Sequence, residues 1–199
     1  METFLGLLFG DFAIYLPKIV FWASWVAAAY FYFIPRPRAM RCLAIFLASF
    51  RLLYVGFLIY GQHFIWSQNE FTKFFVEYQN GSYFSEYAWV HFGLNAVLSI
   101  TGALLFWTLL RSLKSYRERF FYEGETELGL VLALICGWPG ILIFICFSLV
   151  MVVLVSIFKI LFTKEKYTTL GVPLLLACPV VLLGSVALVD ALRLGALKI

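Results

Sequence analysis

Charge is what this chain has least of. Of its 199 residues only 13% are charged, whereas 63% are hydrophobic and the mean hydropathy is +0.94. A soluble domain carries about 25% charged and about 45–50% apolar residues, so the composition excludes an ordinary soluble fold. No hydrophilic stretch is long enough for an appended soluble domain. The sequence therefore predicts a single membrane domain over residues 1–199.

The motifs of common enzymes and metal centres are also missing. The chain has no HExxH, GxSxG, GxGxxG or phosphate-binding P-loop pattern. Its four cysteines lie in or beside apolar segments without a CxxC pair, which is typical of buried thiols and not of a zinc site or disulfide framework. The net charge of +4 comes from cationic clusters at the ends of apolar segments. We therefore expect no enzymatic activity, no cofactor and no nucleic-acid partner.

Long apolar stretches are what the chain has in abundance. A hydrocarbon core of about 30 Å is crossed by about 20 helical residues, so the predicted fold is an all-α, multi-pass transmembrane bundle of five to six spans. Residues 1–16 are too short to span and predict an interfacial segment. The six predicted spans cover about 17–34, 42–66, 88–110, 127–137, 140–163 and 169–189.

The apolar stretch 128–163 decides between five and six spans. As one straight helix it would measure about 54 Å, well beyond the hydrocarbon core. The sequence Gly137-Trp138-Pro139-Gly140 interrupts it. With a turn at this break, ten of the 15 Lys and Arg residues fall on the inner side and four on the outer side, against nine and five for a single crossing. The positive-inside rule therefore favours six spans, with the N-terminus outside.

Arg51 lies close to the middle of the second predicted span, where a cation costs about 2.5–3.5 kcal/mol. Gln62 follows about three helical turns later, on the same face. Two roles stay open for Arg51. It could belong to an ion or proton path or a lipid headgroup site, or it could be a structural cation bonded to backbone carbonyls or to a partner subunit. Because no acidic residue lies at a matching depth, the sequence favours a partner subunit.

Polar and small residues recur along one face of the third predicted span. His91, Asn95, Ser99 and Gly102 are three to four positions apart, a spacing that favours close helix packing with interhelical hydrogen bonds. His91 and His63 both fall near the outer side of the membrane. Together they could ligate a b-type haem or help to bind copper. The alternative is that both are ordinary interfacial histidines.

Several landmarks, in order, resemble the core of the aspartyl prepilin peptidases. A span ends before Ile34-Pro35, the stretch Gly124-Glu125-Thr126-Glu127-Leu128 follows the third span, and the glycine-containing break comes next. Gly171-Val172-Pro173 then opens the last span. The resemblance covers about residues 17–190 and implies the six-crossing topology.

Two positions depart from the pattern of that family. Its chemistry needs one aspartate six residues before the Ile-Pro pair and a second aspartate in a Gly-Asp pair. The corresponding residues here are Ala28 and Glu125. The resemblance therefore implies an inactive prepilin-peptidase-like membrane protein. Independently of it, Glu125 and Glu127 lie at a helix start, where acids complement the helix dipole, and this favours a structural role over paired-carboxylate catalysis.

These observations predict a structural or accessory integral-membrane subunit of a larger complex, without catalytic activity. Its expected partners are other membrane subunits and bound lipids, since aromatic residues make up 20% of the chain and offer large rigid contact surfaces. One alternative is a small transporter or channel that uses Arg51 and the break at 137–140. Another is a haem-binding redox subunit that uses His63 and His91.

Two weak signals bear on the localisation, and they disagree. The N-terminus lacks the basic start of a secretory leader, which favours a mitochondrial or bacterial inner membrane. The glycosylation sequon Asn80-Gly81-Ser82 points instead to secretory entry, although this motif occurs often by chance. We expect an inner membrane of an energy-transducing kind.

Overall fold

The structure is a computed structural model that describes residues 11–77, 82–116, 121–162 and 169–191. Within these ranges the backbone is helical almost throughout and contains no β-strand. A π-helical turn, Trp89–Gly93, joins α4 to α5. The helices in chain order are α1 Asp11–Phe33, α2 Pro37–Gln68, α3 Glu70–Glu77, α4 Ser82–Ala88, α5 Leu94–Tyr116, α6 Glu125–Cys136, α7 Gly140–Phe162 and α8 Gly171–Ala191.

Four helical stretches are long and apolar enough to cross a membrane, namely Ala13–Phe33, Pro37–Gln68, Tyr83–Tyr116 and Gly140–Phe162. The all-α class is confirmed, and the chain has the make-up of an α-helical membrane protein. Helix α6, with 12 residues, is shorter than a span. The choice between five and six spans stays a prediction.

The short helix α6 lies at the centre of the fold. It packs against α1, α2, α5, α7 and α8. Nine of its 12 residues are buried, among them Leu128, Val131 and Leu132, none of which is exposed. Its neighbours contribute the largest fully buried side chains, Phe144 of α7 and Met40 and Leu47 of α2. The hydrophobic core therefore lies between α6 and the helices that surround it.

Contacts along α5 show that the chain reverses direction at the Gly137–Gly140 break. On α6, Gly129 packs under Leu110, and Trp138, two residues after the end of the helix, lies beside Ser99. On α7, Phe144 meets Phe106 edge to face at 5.9 Å between ring centroids. Helix α6 therefore runs antiparallel to α5. Gly102 of α5 lies against Ile141 near the start of α7. Together with the Phe106–Phe144 contact, this means that α7 runs parallel to α5, back towards the end where α6 begins.

Helix α1 begins at Asp11, whereas the sequence suggested an interfacial segment followed by a span that starts at Pro17. Pro17 lies inside the helix and has no backbone N–H to donate to the carbonyl of Ala13, four residues before it. The hydroxyl of Tyr54 on α2 donates to that carbonyl at 2.6 Å instead. The proline is thus accommodated without ending the helix. Residues 1–10 and the sequon at Asn80 lie outside the described residues.

Candidate functional site

A buried carboxylate organises the chain at the start of α6. Glu125 is 0% exposed, and its Oε1 accepts hydrogen bonds from the backbone N–H of Gly171 at 2.7 Å and from the hydroxyl of Tyr32 at 3.2 Å. Its Oε2 accepts from the backbone N–H of Tyr122 at 3.0 Å. One side chain therefore joins the end of α1, the loop before α6 and the start of α8.

Two glycines shape the surroundings of Glu125. Gly124 has φ +88°, a left-handed conformation that suits glycine and that turns the chain into α6. Gly171 lies so close to the ring of Tyr32 that a Cβ there would overlap it. The Gly124-Glu125 pair and the Gly171-Val172-Pro173 stretch, both singled out in the sequence, are therefore in contact in the fold.

Glu127 belongs to a separate, more open network. Its Oε1 pairs with Nη2 of Arg41 at 3.0 Å, and its Oε2 accepts a hydrogen bond from the hydroxyl of Thr126 at 2.7 Å. Partial burial alone would raise the pKa of Glu127, but the hydrogen bonds from Thr126 and Arg41 outweigh it and hold that pKa below its ordinary value. The two carboxylates thus have different partners, one set in the core and the other at the surface.

Arg51 binds the other end of α6. Its Nε donates to the carbonyl of Leu134 at 2.8 Å and its Nη2 to that of Ile135 at 3.2 Å, while the guanidinium lies 4.8 Å from the ring centre of Phe21. The last carbonyls of a helix have no partner within the helix and carry a partial negative charge, so they attract a cation. The sequence offered no acidic partner for Arg51, and the fold supplies carbonyl oxygens of the same chain.

Ser99 of α5 forms a hydrogen bond with the break between α6 and α7. Its hydroxyl accepts a hydrogen bond from the backbone N–H of Trp138 at 2.8 Å and donates one to the carbonyl of Asn95 at 2.8 Å. The side chains of Asn95, His91 and Arg51 line a small cavity of about 140 Å³ between α1, α2 and α5. Of the intramembrane residues predicted from the sequence, the fold therefore gathers Arg51, Asn95 and Ser99 near the break.

Gln62 and His63 lie apart from that group. Gln62 does not line the small cavity, and the imidazole of His63 meets the ring of Phe84 edge to face at 5.2 Å. His91 stacks on Tyr87, with ring centroids 4.1 Å apart. The two histidines proposed as haem or copper ligands thus pack on different aromatic rings. No group of three or more His, Cys, Asp or Glu side chains in the described ranges is placed to hold a metal ion.

A second in-helix proline repeats the arrangement seen at Pro17. Pro179 lies inside α8 and leaves the carbonyl of Leu175, four residues earlier, without its helical donor. The indole Nε1–H of Trp25 on α1 donates to that carbonyl at 3.1 Å. Arg51, Tyr54 and Trp25 therefore perform one task, since each satisfies carbonyls that a helix break or a proline has released. Sequence reasoning missed Tyr54 and Trp25; the only signal was the proline four residues after each acceptor.

No known protein family, curated protein or solved structure matches the chain. The resemblance to prepilin peptidases therefore stays a prediction. The fold adds two facts that bear on it. The glutamate at the position of the second family aspartate is buried and accepts three hydrogen bonds, and Ala28, at the position of the first, is a core residue with no exposed surface.

Proposed function

We propose that the chain is a structural, non-catalytic integral-membrane subunit of a larger membrane complex. The observation that carries the proposal is how its intramembrane polar groups are used. Glu125, Arg51 and Ser99 all bind backbone groups of the same chain at the two ends of α6. A role in chemistry or ion passage would require these side chains to leave the contacts that hold the core together.

The outer surface of α7 supports a role in lateral contacts. This helix contains the most apolar of the candidate spans, with a mean hydropathy of 3.2 over its best window. In its second half, large side chains point away from the rest of the fold; Val153, Phe158 and Leu161 are 58%, 60% and 71% exposed. Such a face suits lipid acyl chains and apolar helices of neighbouring subunits. We place the complex in a mitochondrial or bacterial inner membrane.

The decisive experiment is the native mass of the protein after extraction from its source membrane in mild detergent, with co-purifying chains identified by mass spectrometry. We expect a complex with stoichiometric partners, well above the 22.8 kDa of one chain. A lone chain or a small homo-oligomer would contradict the proposal.

A matched pair of variants tests whether assembly depends on the α6 core. Arg51→Ala removes the donor to the carbonyls of Leu134 and Ile135 and should lower the fraction of protein found in the complex. Arg38→Ala removes the same charge from an exposed position in the first turn of α2 and should leave that fraction unchanged. If Arg51→Ala retains every partner, assembly does not depend on this contact.

A second candidate is an inactive prepilin-peptidase-like protein. The specific observation in its favour is the 2.7 Å hydrogen bond between Glu125 and the N–H of Gly171, because it brings together two motifs that are 46 residues apart in sequence. The test is co-expression with a type IV prepilin. We expect the prepilin to stay uncleaved, because Ala28 supplies no first carboxylate. Cleavage that depends on Glu125 would overturn the non-catalytic assignment.

A further inference from the structure

A large cavity opens beside the start of α6. It has a volume of about 690 Å³ and lies between the first turns of α2, the last turns of α5 and the loop that leads into α6. Small-molecule sites range over about 300–1,000 Å³, so the cavity has the size of a ligand site. It is lined by Pro37, Arg41, Trp107, Arg111, Lys114, Glu123, Gly124, Thr126 and Glu127.

The charges of this cavity favour an anion. Glu127 is already paired with Arg41 and bonded to Thr126, so its charge is largely compensated. Arg111 and Lys114 remain, and neither forms an ion pair with a carboxylate in the part of the chain that the structure describes. Glu123 is the other lining acid, and it lies on the loop before α6 and not on α5. The cavity wall on α5 is therefore positive.

Helix α5 presents this charge in a particular order. Leu104, Trp107, Arg111 and Lys114 are three to four residues apart and share one face of the helix. The guanidinium of Arg111 lies 5.3 Å from the ring centre of Trp107, a cation–π contact that holds it at the cavity wall. Leu104 is 47% exposed on the same face. From the end of the helix inwards, the face runs from cationic to aromatic to apolar, which is the order of groups that complements a phospholipid.

We propose that this cavity binds a phosphate-bearing anion, held by Arg111 and Lys114. Basic pockets between helices on the positively charged side of a membrane protein bind anionic headgroups in this way. Two sources can supply the chemistry, the headgroup of an anionic phospholipid and a soluble phosphomonoester. The inference does not depend on the structural role proposed above, since a subunit, a transporter or a lone protein could each carry the site.

The first test is a titration of the purified full chain, in mixed micelles, with dioleoylphosphatidylglycerol and with zwitterionic dioleoylphosphatidylcholine; native mass spectrometry counts the bound lipids. We expect the first phosphatidylglycerol to bind at least about tenfold more tightly than phosphatidylcholine, since each cation near a headgroup contributes measurably. Equal affinities for the two lipids would overturn the proposal, unless the soluble phosphomonoester of the second arm binds in their place.

Variants with equal charge changes locate the site. Arg111→Gln combined with Lys114→Gln should weaken binding of the anion about tenfold. Arg36→Gln combined with Arg38→Gln removes the same charge from exposed residues at the same end of the fold that do not line the cavity, and should change the affinity less than twofold, on the order of experimental error. Equal losses in both variants would show general surface attraction and overturn the site. Circular dichroism checks that both variants keep the helical content.

The second arm separates the two sources. sn-Glycerol 3-phosphate, added at millimolar concentration, carries the phosphate without acyl chains. If it binds the wild type, and the Arg111/Lys114 variant loses that binding, the cavity recognises the phosphate itself and a soluble ligand suffices. If only phosphatidylglycerol binds with that dependence, the acyl chains along α5 are part of the ligand. Both results support the site. If neither probe binds, the proposal is overturned.

Discussion

Helices α6 and α7 are two arms of one apolar stretch, yet they have opposite roles. Helix α6 has 12 residues, nine of them buried, and it is surrounded by five other helices. Helix α7 has 23 residues, contains the most apolar candidate span, and buries only 22% of that window. Apolar composition alone does not show which arm is buried in protein, because lipid tails are as apolar as a protein core. What distinguishes α6 is the polar bonding at its two ends and the close approach that Gly129 allows to α5.

Among single substitutions, we expect one at Glu125 to have the largest effect on the difference between α6 and α7. Glu125→Ala would leave three donors without their acceptor, namely the buried N–H of Gly171 and the partly buried Tyr32 hydroxyl and Tyr122 N–H. A buried unsatisfied donor costs about 1–3 kcal/mol, and a donor that water can reach costs less. We expect a loss of about 4 kcal/mol in the free energy of unfolding, measured by denaturant titration in detergent. Glu123→Ala, at an exposed position two residues earlier, should change it by less than about 0.5 kcal/mol. Similar small losses in both variants would show that Glu125 does not hold the core.

Identical substitutions in the two arms measure the difference in packing. Leu132 on α6 is 0% exposed, and Leu154 on α7 is 53% exposed. Leu132→Ala opens a cavity in the core around α6 and should lower the free energy of unfolding by about 3 kcal/mol. Leu154→Ala opens no cavity and should cost less than about 0.5 kcal/mol in a detergent unfolding assay. If Leu154→Ala is as costly as Leu132→Ala, α7 is not an outer helix.

The turn between the arms offers two glycines with different demands. Gly137 has φ +61° and ψ −178°, a region that only glycine adopts readily, and a Cβ there would collide with the guanidinium of Arg51. Gly137→Ala should therefore cost about 2 kcal/mol. At Gly140 a Cβ would meet Val181 at an ordinary 3.6 Å, so Gly140→Ala should cost under about 0.5 kcal/mol. Equal thermal shifts for the two variants would contradict the strained turn.

The smallest expected effect concerns the bond that ties the turn to α5. Ser99→Ala removes the acceptor of the Trp138 N–H and should lower the free energy of unfolding by about 1 kcal/mol. Thr108→Ala, on the same helix, removes a hydroxyl that bonds only to its own helix at Leu105. That control should change stability by less than about 0.5 kcal/mol. An unchanged stability in Ser99→Ala would mean that water or another group replaces the serine.

Composition and glycine–proline punctuation were enough to predict the helical class and the break at Gly137–Gly140. The start of α1 could not be predicted in the same way, because the carbonyl that Pro17 releases is bonded by Tyr54, a donor 41 residues later in the chain. The partners of Arg51 were missed for a related reason. A search for carboxylates overlooks carbonyl oxygens, and these become acceptors only once α6 ends at Cys136.

The candidate site was harder to predict than the fold. Glu125 and Glu127 look alike in sequence, since both lie in the first turn of a helix. Only the fold shows that the first faces the N–H of Gly171 and the second faces Arg41. The cavity beside Trp107 combines residues of α2, α5 and the loop before α6. A local sequence pattern cannot predict such a site, because its residues come from three separate parts of the chain.

The two in-helix prolines also set an order for biogenesis. Chains are synthesised from the N-terminus, so the Tyr54 hydroxyl reaches Ala13 as soon as α2 has been inserted next to α1. The carbonyl of Leu175 meets a donor that already exists, because Trp25 was made 150 residues earlier than α8. A chain truncated before α8 would instead hold Trp25 with no carbonyl to bind. The last helix therefore supplies the acceptor for a donor that the first helix has carried since early in synthesis.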